Sequence, residues 1–330
     1  MRILVLGGTA FLGRAVSRAA LARGHEVVCA ARGSAPVADG AGLVVVDRDD
    51  PDGLAPLRGQ RWDAVVDVSR QPGQVRRAVA ELTADHWVLV SSANVYARFD
   101  HLEQDEDGPL LDPLADDVMP DMSRYGEAKV ACEQAVATTA SWTAVRAGLI
   151  CGPGDDSGRL GYYPWRLAHP TGADVLVPPD LDHPVAVVDV DDLADWLVTC
   201  AQEQVHGALN ATGPTHRLGD LVDLAREVAG SDAALRPVPA EVLADAGVEA
   251  WAGTPSLPLW VDDPEWRFFS TLDSSRARAA GLVTRPLRQT LARALAHEQT
   301  RTAPRACGLT DEQERDLRRR LDHHQEDARA

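Results

Sequence analysis

The sequence lacks any uninterrupted apolar run that approaches the roughly 18 residues of a membrane-spanning helix. Its first residues also form too short an apolar stretch for a signal peptide. Basic side chains are scarce relative to acidic ones, and the formal net charge of −17 repels nucleic-acid phosphates and anionic lipids. We therefore expect a cytoplasmic protein with no membrane and no nucleic-acid partner.

Cysteine pairs and histidine clusters are missing as well. The five cysteines are widely spaced and include no C-x-x-C pair, so they are expected to be small buried hydrophobic residues. The ten histidines form no H-x-x-x-H or H-E-x-x-H pattern, and no metal site is expected. The only dense basic cluster, residues 315–320, lies between acidic residues of a predicted C-terminal helix, where a solvated face explains it.

The remaining composition is that of a folded globular protein, with 45% hydrophobic residues in a chain of 330. Short apolar segments alternate with segments of helical length, which predicts βα units rather than a sandwich. We therefore expect an α/β fold with a Rossmann-type doubly wound parallel sheet. The predicted strands cover residues 2–6, 25–30, 43–46, 62–68, 86–92, 143–150, 184–188 and 206–211.

The first predicted strand runs into a glycine-rich turn, and a helix is expected to follow it. Backbone N–H groups at the start of such a helix can hold a pyrophosphate when no side chain blocks the approach. The middle small residue is alanine, where dinucleotide-binding folds most often have glycine, so an ordinary βα turn stays an alternative. The turn residues predicted to bind a cofactor are Gly7, Thr9, Ala10, Phe11, Leu12 and Gly13.

The exit of the second predicted strand bears on which dinucleotide binds. An NAD site usually has an acidic residue there for the ribose 2′-hydroxyl, but this chain has Ala31 followed by Arg32. A guanidinium suits a 2′-phosphate, so NADP(H) is the predicted cofactor and NAD(H) the second choice. A plain surface arginine is the alternative. Asp47, Arg48 and Ser69, which follow the next two strands, are predicted to line the same site.

Three further residues suggest proton-transfer chemistry. Ser92 leaves the fifth predicted strand at its carboxyl end, and Tyr125 and Lys129 open an alanine-rich helix. Their spacing of four places the tyrosine and the lysine on one helix face, and a cation favours the deprotonated form of a neighbouring tyrosine. Tyr125 is then suited to pass a proton to or from a carbonyl or carbinol oxygen that Ser92 holds by a hydrogen bond.

Several motifs occur in an order that is typical of one family. They are G-G-T-x-F-L-G at 7–13, S-S-A-N-V-Y at 91–96, Y-G-E-A-K at 125–129, C-G-P-G-D at 151–155 and D-V-D-D-L at 189–193. With them the chain resembles the extended branch of the short-chain dehydrogenase/reductase superfamily, the NAD-dependent epimerase/dehydratase family. The resemblance implies that Ser92, Tyr125 and Lys129 form a catalytic triad, and that Lys129 also binds the nicotinamide ribose.

The resemblance also implies a division of the chain into two parts. A Rossmann domain would cover residues 1–157 and regain 184–213, while 158–183 and 214–330 would form a smaller substrate-binding lobe with a C-terminal helix. In that lobe the aromatic-rich stretch 251–269 either lines an apolar pocket or forms the core. The residues expected to contact the substrate are Asn94, Tyr162, Trp165 and Trp251.

Two departures from the family pattern guide the functional prediction. Ala93 and Asn94 stand where family dehydratases have an Asp-Glu pair, and Cys151 replaces the tyrosine of the Y-G-P motif. We therefore predict an NADP(H)-dependent oxidoreductase that reduces a carbonyl, or oxidises an alcohol, on a small molecule. An epimerase, including one for sugar nucleotides, and a non-catalytic nucleotide-sensing or RNA-associated relative are the alternatives. The substrate, the direction of hydride transfer and the assembly, a homodimer included, are left open.

Overall fold

The structure is a computed structural model that describes residues 1–327. It contains two compact units, which are described separately. The first unit comprises Met1–Ile150, Val190–Gly213 and Thr271–Thr284, and the second comprises Cys151–Asp189, Pro214–Ser270 and the chain from Arg285 onward.

The strands of the described chain are short, as expected for βα units. In chain order they are β1 (Arg2–Leu6), β2 (Glu26–Ala31), β3 (Gly42–Val45), β4 (Arg61–Asp67), β5 (Thr83–Ser92), β6 (Trp142–Ala147), β7 (Leu149–Cys151), β8 (Asp174–Val177), β9 (Pro184–Val185), β10 (Val187–Asp189), β11 (Gly207–Ala211), β12 (His216–Arg217), β13 (Ala234–Pro237), β14 (Glu249–Trp251) and β15 (Ser256–Pro258). The α-helices are α1 (Phe11–Ala22), α2 (Pro72–Glu81), α3 (Tyr125–Val136), α4 (Tyr162–Ala168), α5 (Val190–Glu203), α6 (Leu218–Ala229), α7 (Ala240–Asp245), α8 (Ser275–Ala279), α9 (Leu287–Gln299) and α10 (Asp311–Asp327).

The first unit is built on a seven-stranded sheet in the order β11-β6-β5-β4-β1-β2-β3. Every pair of neighbouring strands is parallel. The predicted α/β Rossmann-type sheet is therefore confirmed. Because all strands run the same way, the residues that follow β1, β2, β4 and β5 meet at one edge, which is called the carboxyl edge below.

Both faces of this sheet are buried, as a doubly wound fold requires. One face packs on α2 and α3 in a core that includes Leu6, Leu89, Val75 and Cys132. The alternating residues Ile3 and Val5 of β1 are fully buried too, and in a strand they point to the other face. The near-continuous apolar character of β1 follows from this two-sided burial.

The structure departs from the predicted boundaries in three places. The strand predicted over 143–150 ends at Ala147, where Gly148 separates β6 from β7. Residues 184–189 belong to the second unit rather than the first, as do residues 151–157. The segment Thr271–Thr284 returns to the first unit, which was not predicted.

Polar bonds explain why that last segment belongs to the first unit. The Thr212 backbone N–H donates to Ser274 Oγ at 2.9 Å, and the indole Nε1–H of Trp196 donates to the backbone oxygen of Ala280 at 3.1 Å. These partners are more than 60 residues apart in sequence, so local sequence patterns do not predict the bonds between them.

In the second unit, the final helix begins with a capping box. The Thr310 backbone N–H donates to Gln313 Oε1 at 2.8 Å, and the Gln313 backbone N–H donates to Thr310 Oγ1 at 3.2 Å. The buried side chains of Arg166 and Glu314 form an ion pair at 2.7 Å that joins α4 to α10.

All five cysteines are buried and free, as predicted. Burial raises the pKa of the Cys132 and Cys200 thiols to about 12, so neither is a nucleophile at neutral pH. Within residues 1–327, no helix is both long enough and apolar enough to cross a membrane.

Candidate active site

The glycine turn after β1 brings backbone groups together so closely that side chains do not fit. A Cβ on Gly13 would lie 2.2 Å from the Gly7 carbonyl oxygen, and a Cβ on Gly7 would lie 2.5 Å from Val68 Cγ2. Gly7 also has a φ of +97°, in the region that favours glycine. The start of α1 is thus pressed against the carboxyl edge of β1 and β4.

The start of α1 fits the diphosphate of a dinucleotide. Ala10 is its N-cap and makes no side-chain cap bond, and the first turn contains no acidic residue. The first backbone N–H groups of a helix have no partner within the helix. The Ala10 backbone N–H already donates to the Gly7 carbonyl oxygen at 3.2 Å. No side chain competes for the amides of Phe11, Leu12 and Gly13, and no acidic residue in this turn repels an anion, so these three amides would hold a phosphate.

The residues predicted to bind the ribose end lie in different surroundings. Arg32 is exposed directly after β2, and its side chain has no acidic partner among the described residues. Asp47 is exposed and its Oδ1 accepts the Asp49 backbone N–H at 3.0 Å. Arg48 does not fit its predicted role, because its guanidinium is buried and donates to both oxygens of Asp67, at 2.7 and 2.8 Å. It therefore holds the end of β4 and is not available to a cofactor phosphate.

Ser92 is the last residue of β5 and is 8% exposed. Its Oγ donates to Asn94 Oδ1 at 2.9 Å and accepts the Asn94 backbone N–H at 3.2 Å. Asn94 is partly exposed and lies in a short 3₁₀ turn. Both side chains are thus at the carboxyl edge of the sheet.

Tyr125 opens α3 and Lys129 follows one turn later, as the spacing predicts. Lys129 is 2% exposed, and its Nζ donates to the backbone oxygens of Ser69 at 2.6 Å and Val90 at 2.7 Å. The same Nζ lies 5.8 Å from the centroid of the Tyr125 ring. Ser69 therefore contributes its carbonyl, and the ammonium is fixed beside the tyrosine. Lys129 is also the only lysine in the chain.

A buried polar network supports α3 one turn after Lys129. The Glu133 carboxylate, one turn after Lys129, accepts from Arg146 at 2.9 and 3.1 Å and from Ser91 Oγ at 2.5 Å. Arg146 also donates to Tyr96 Oη at 3.1 Å. All four side chains are buried, and removing one partner of such a network leaves an uncompensated buried charge.

In the second unit, one predicted substrate residue is wrong. Tyr162 is 1% exposed and packs edge-on against Tyr163, whose Oη donates to the Pro258 backbone oxygen at 2.8 Å. Burial raises the pKa of Tyr162 above the ordinary tyrosine value. Tyr162 therefore belongs to the core of this unit and does not line a pocket.

The two predicted tryptophans are more accessible than Tyr162. Trp165 is partly buried between the His169 ring, stacked at 5.2 Å, and the Arg305 guanidinium, 3.5 Å from its centroid. Trp251 is partly exposed, packs edge-on against Phe269 at 4.4 Å, and has a φ of +63°, which is rare for a bulky residue. The aromatic stretch therefore serves as core at Phe269, while Trp251 stays at the surface of the unit.

Sequence reasoning missed two residues at the carboxyl edge of the first unit. Arg14 lies in α1 directly after Gly13, and Arg70 follows Ser69, whose carbonyl binds Lys129. Neither has a carboxylate partner among the described residues. The signal was available, because Arg14 adjoins the predicted glycine turn and Arg70 follows a predicted strand, both at the edge where ligands bind.

Comparison with known proteins identifies the family of the chain. A sequence model of the NAD dependent epimerase/dehydratase family matches residues 3–84 and 74–211, more than half of the chain. The chain belongs to this family. The match includes the glycine turn, Ser92, Tyr125 and Lys129, and it confirms both the predicted family and the expectation of an NAD(P)-dependent enzyme.

Solved structures of epimerases share the fold. The UDP-glucose 4-epimerase of Thermus thermophilus, solved with NAD, has a TM-score of 0.64 and 19% identity, with 91% of this chain and 99% of that chain covered. The UDP-Glc/GlcNAc 4-epimerase of Campylobacter jejuni has a TM-score of 0.66 and 15% identity, with 91% and 99% covered. At such identities the likeness concerns the fold.

One curated relative is named for a binding activity and not for an enzymatic one. The chloroplast stem-loop binding protein of 41 kDa b from Arabidopsis thaliana is 26% identical over 171 residues, which is 46% of this chain and 43% of that protein. The match thus spans less than half of either chain.

In the described residues, no three His, Cys, Asp or Glu side chains are grouped so that they could hold a metal ion.

Proposed function

We propose that the chain is an NADP(H)-dependent oxidoreductase that reduces a carbonyl group, or oxidises the corresponding alcohol, on a small molecule. One observation carries the proposal. The buried ammonium of Lys129 is held by the Ser69 and Val90 carbonyls and lies 5.8 Å from the Tyr125 ring centroid. An ammonium fixed in this way stabilises negative charge that develops on the phenol oxygen while its proton is transferred.

The chemistry assigned to these residues is proton transfer. A bound nicotinamide would supply or accept the hydride. In the reducing direction the Tyr125 hydroxyl donates a proton to the substrate oxygen, while Ser92 Oγ donates a hydrogen bond to the same atom. The carbonyl thus gains one hydride and one proton and becomes an alcohol. Lys129 stabilises the tyrosinate that remains.

The choice of NADP(H) rests on the exit of β2. Ala31 and Arg32 offer a guanidinium and no carboxylate, so that a 2′-phosphate meets attraction instead of repulsion. NAD(H) stays the alternative, supported by the Thermus thermophilus structure with NAD. A substrate contact is assigned to Asn94 in the first unit. The contacts expected of Trp165 and Trp251 stay predictions.

An epimerase is the second candidate, because the structural neighbours named above are UDP-sugar 4-epimerases. It would use the same Tyr125 and Lys129 and return the hydride to the other face of the substrate. Ala93 and Asn94, in place of an Asp-Glu pair, leave a dehydratase without its acid and base. An RNA-associated role, prompted by the stem-loop binding relative, gains no support from the net charge of −17.

Net cofactor consumption separates the candidates. The purified protein is incubated with NADPH or NADH and a panel of small aldehydes and ketones, and nicotinamide absorbance is followed. We expect stoichiometric oxidation of NADPH with at least one carbonyl, and none in Lys129→Met. Interconversion of UDP-glucose and UDP-galactose without net cofactor change would instead establish the epimerase. Tight binding of a stem-loop RNA with no turnover of either kind would overturn both.

A further inference from the structure

The arginines of the first unit divide into two groups by their partners. Most lie within 4.0 Å of a carboxylate, as do Arg2 with Glu26 and Arg61 with Asp85. Arg77 donates instead to backbone oxygens, including that of Arg48 at 2.7 Å. Among the described residues, Arg14, Arg32 and Arg70 are the arginines of this unit whose side chains bond to neither a carboxylate nor a backbone oxygen. In a chain with 50 acidic residues, such arginines stand out.

These three arginines share one location. Arg14 is near the start of α1, Arg32 follows β2 and Arg70 follows β4, so all three lie at the carboxyl edge of the sheet. Guanidinium groups left without carboxylates at a ligand-binding edge are suited to anions.

The strand order separates Arg70 from the other two. In the sheet, β2 and β4 lie on opposite sides of β1. Arg32 is therefore on the side proposed for the 2′-phosphate, while Arg70 is on the side of β5, which ends at Ser92. Lys129 Nζ bonds to the carbonyl of Ser69, the residue directly before Arg70. Arg70 thus belongs to the reacting end of the proposed site.

The Arg70 side chain reaches toward the segment that leads into the catalytic helix. Its Nη1 lies 3.5 Å from Met122 Sδ, three residues before Tyr125. Two acids of this segment, Asp117 and Asp121, already have partners. Asp117 accepts from Arg76 at 2.6 Å, and Asp121 caps the following turn by accepting from Ser123. The exposed guanidinium consequently has its charge available to a ligand.

From this placement we propose that Arg70 binds an anionic group of the substrate, a carboxylate or a phosphate, beside the Tyr125 hydroxyl. The inference rests on the proposed function, because it places the substrate carbonyl at Tyr125 and Ser92. It narrows the substrate class from small molecules in general to carbonyl compounds or alcohols that carry an acidic group. Arg70 is then a specificity-determining residue.

Methionine methyl groups give a direct readout at this position. The chain has three methionines, Met1, Met119 and Met122, and the sulfur of Met122 lies 3.5 Å from the Arg70 guanidinium. Protein labelled with methyl-¹³C methionine and saturated with NADP⁺ is titrated with benzoate, phenyl phosphate and neutral methyl benzoate at constant ionic strength. We expect a saturable shift of the Met122 signal with benzoate, phenyl phosphate or both, and none with methyl benzoate.

Matched variants test the assignment to Arg70. Arg70→Gln should raise the Kd for the anions at least about tenfold, the usual scale for losing a charge-assisted bidentate bond. Arg61→Gln, which removes the same charge at the other end of β4, should leave that Kd unchanged. NADP⁺ affinity should be the same in both variants and the wild type.

Several outcomes would overturn the proposal. They are an unmoved Met122 signal, equal Kd values in Arg70→Gln and wild type, an equal response to methyl benzoate, and anion binding that NADP⁺ abolishes. Loss of NADP⁺ affinity in Arg70→Gln would assign the arginine to the cofactor instead. Failure of the proposed function would appear separately, as absence of Tyr125-dependent turnover while the anion titration is unaffected.

Discussion

The two edges of the seven-stranded sheet differ in how completely their polar groups are paired. At the amino edge, Arg2 pairs with Glu26 at 3.1 Å, Arg61 pairs with Asp85, and the buried His86 ring bonds to Ser141 at 2.7 Å and Thr143 at 2.9 Å. At the carboxyl edge, Arg14, Arg32 and Arg70 lack acidic partners among the described residues, and the start of α1 lacks a cap side chain.

This contrast suggests that the amino edge of the sheet serves stability and the carboxyl edge serves ligand binding. A paired group has already exchanged its water for a protein partner, so it contributes to folding and offers little to a ligand. An unpaired group at the surface keeps its water, which a ligand can replace. The following substitutions test the contrast, because changes at the carboxyl edge should alter binding and turnover, while changes at the amino edge should alter stability alone.

The largest expected effect is at the carboxyl edge. Tyr125→Phe should lower turnover by about 10²- to 10⁴-fold, the usual contribution of a general acid-base group. Steady-state rates of NADPH oxidation measure it, with thermal unfolding and cofactor titration as controls for fold and binding. Turnover within a factor of a few of wild type would remove Tyr125 from the proposed chemistry.

The next effect concerns the cofactor. Loss of a charge-assisted bond to a 2′-phosphate in Arg32→Ala should weaken NADP(H) binding about 10- to 100-fold while NAD(H) binding changes little. Fluorescence titration of both cofactors measures it. Ala31→Asp combined with Arg32→Ala should reverse the preference. Unchanged NADP(H) affinity in Arg32→Ala would show that the arginine is a surface charge only.

At the amino edge, His86 should affect stability in a defined pH window. Burial lowers its pKa from 6.5 to about 4. As pH falls from 6.5 to 4, the unfolded chain therefore binds a proton that the folded chain does not, and folding is destabilised by about 3 kcal/mol.

Replacement of this histidine checks that sign. His86→Gln keeps an amide for hydrogen bonding and cannot titrate, so its unfolding free energy should depend less on pH between 6.5 and 4 than that of wild type. Urea unfolding at several pH values measures the difference. Identical pH profiles, or a loss of turnover at neutral pH in the variant, would contradict the division between the edges.

The smallest effect is expected for Arg61→Gln. The Arg61 side chain is 70% exposed, and exposed ion pairs such as the one with Asp85 contribute less than about 1 kcal/mol. Stability should fall within that limit, and cofactor affinity and turnover should match the wild type. A tenfold change in either would show that the amino edge also takes part in binding.

Local sequence was enough to predict the first βα unit and the start of α3. β1, the glycine turn and α1 follow one another within 22 residues, and Tyr125 and Lys129 share one helical turn. Each of these predictions needed only an apolar segment of strand length, a glycine such as Gly13 or the spacing of a helical turn. The family assignment followed from the same short segments.

Long-range pairing explains what local sequence did not supply. Arg48 was assigned to the cofactor because Asp67, its partner 19 residues later, is indistinguishable in sequence from any other strand-end acid. Tyr162 was assigned to the substrate, yet its environment is made by the core of the second unit. The return of residues 271–284 to the first unit depends on bonds such as that between Thr212 and Ser274.

The solitary lysine has a practical consequence for chemical labelling. Every other basic side chain apart from histidine is an arginine, so Lys129 is the only side-chain target for acylation, reductive methylation or amine-directed cross-linking. At 2% exposure it should react slowly, and more slowly still with a ligand beside it. Methylation with ¹³C-formaldehyde would therefore give a single side-chain resonance that reports occupancy. Coupling through lysine to a dye or a sensor surface would find no alternative side chain to use.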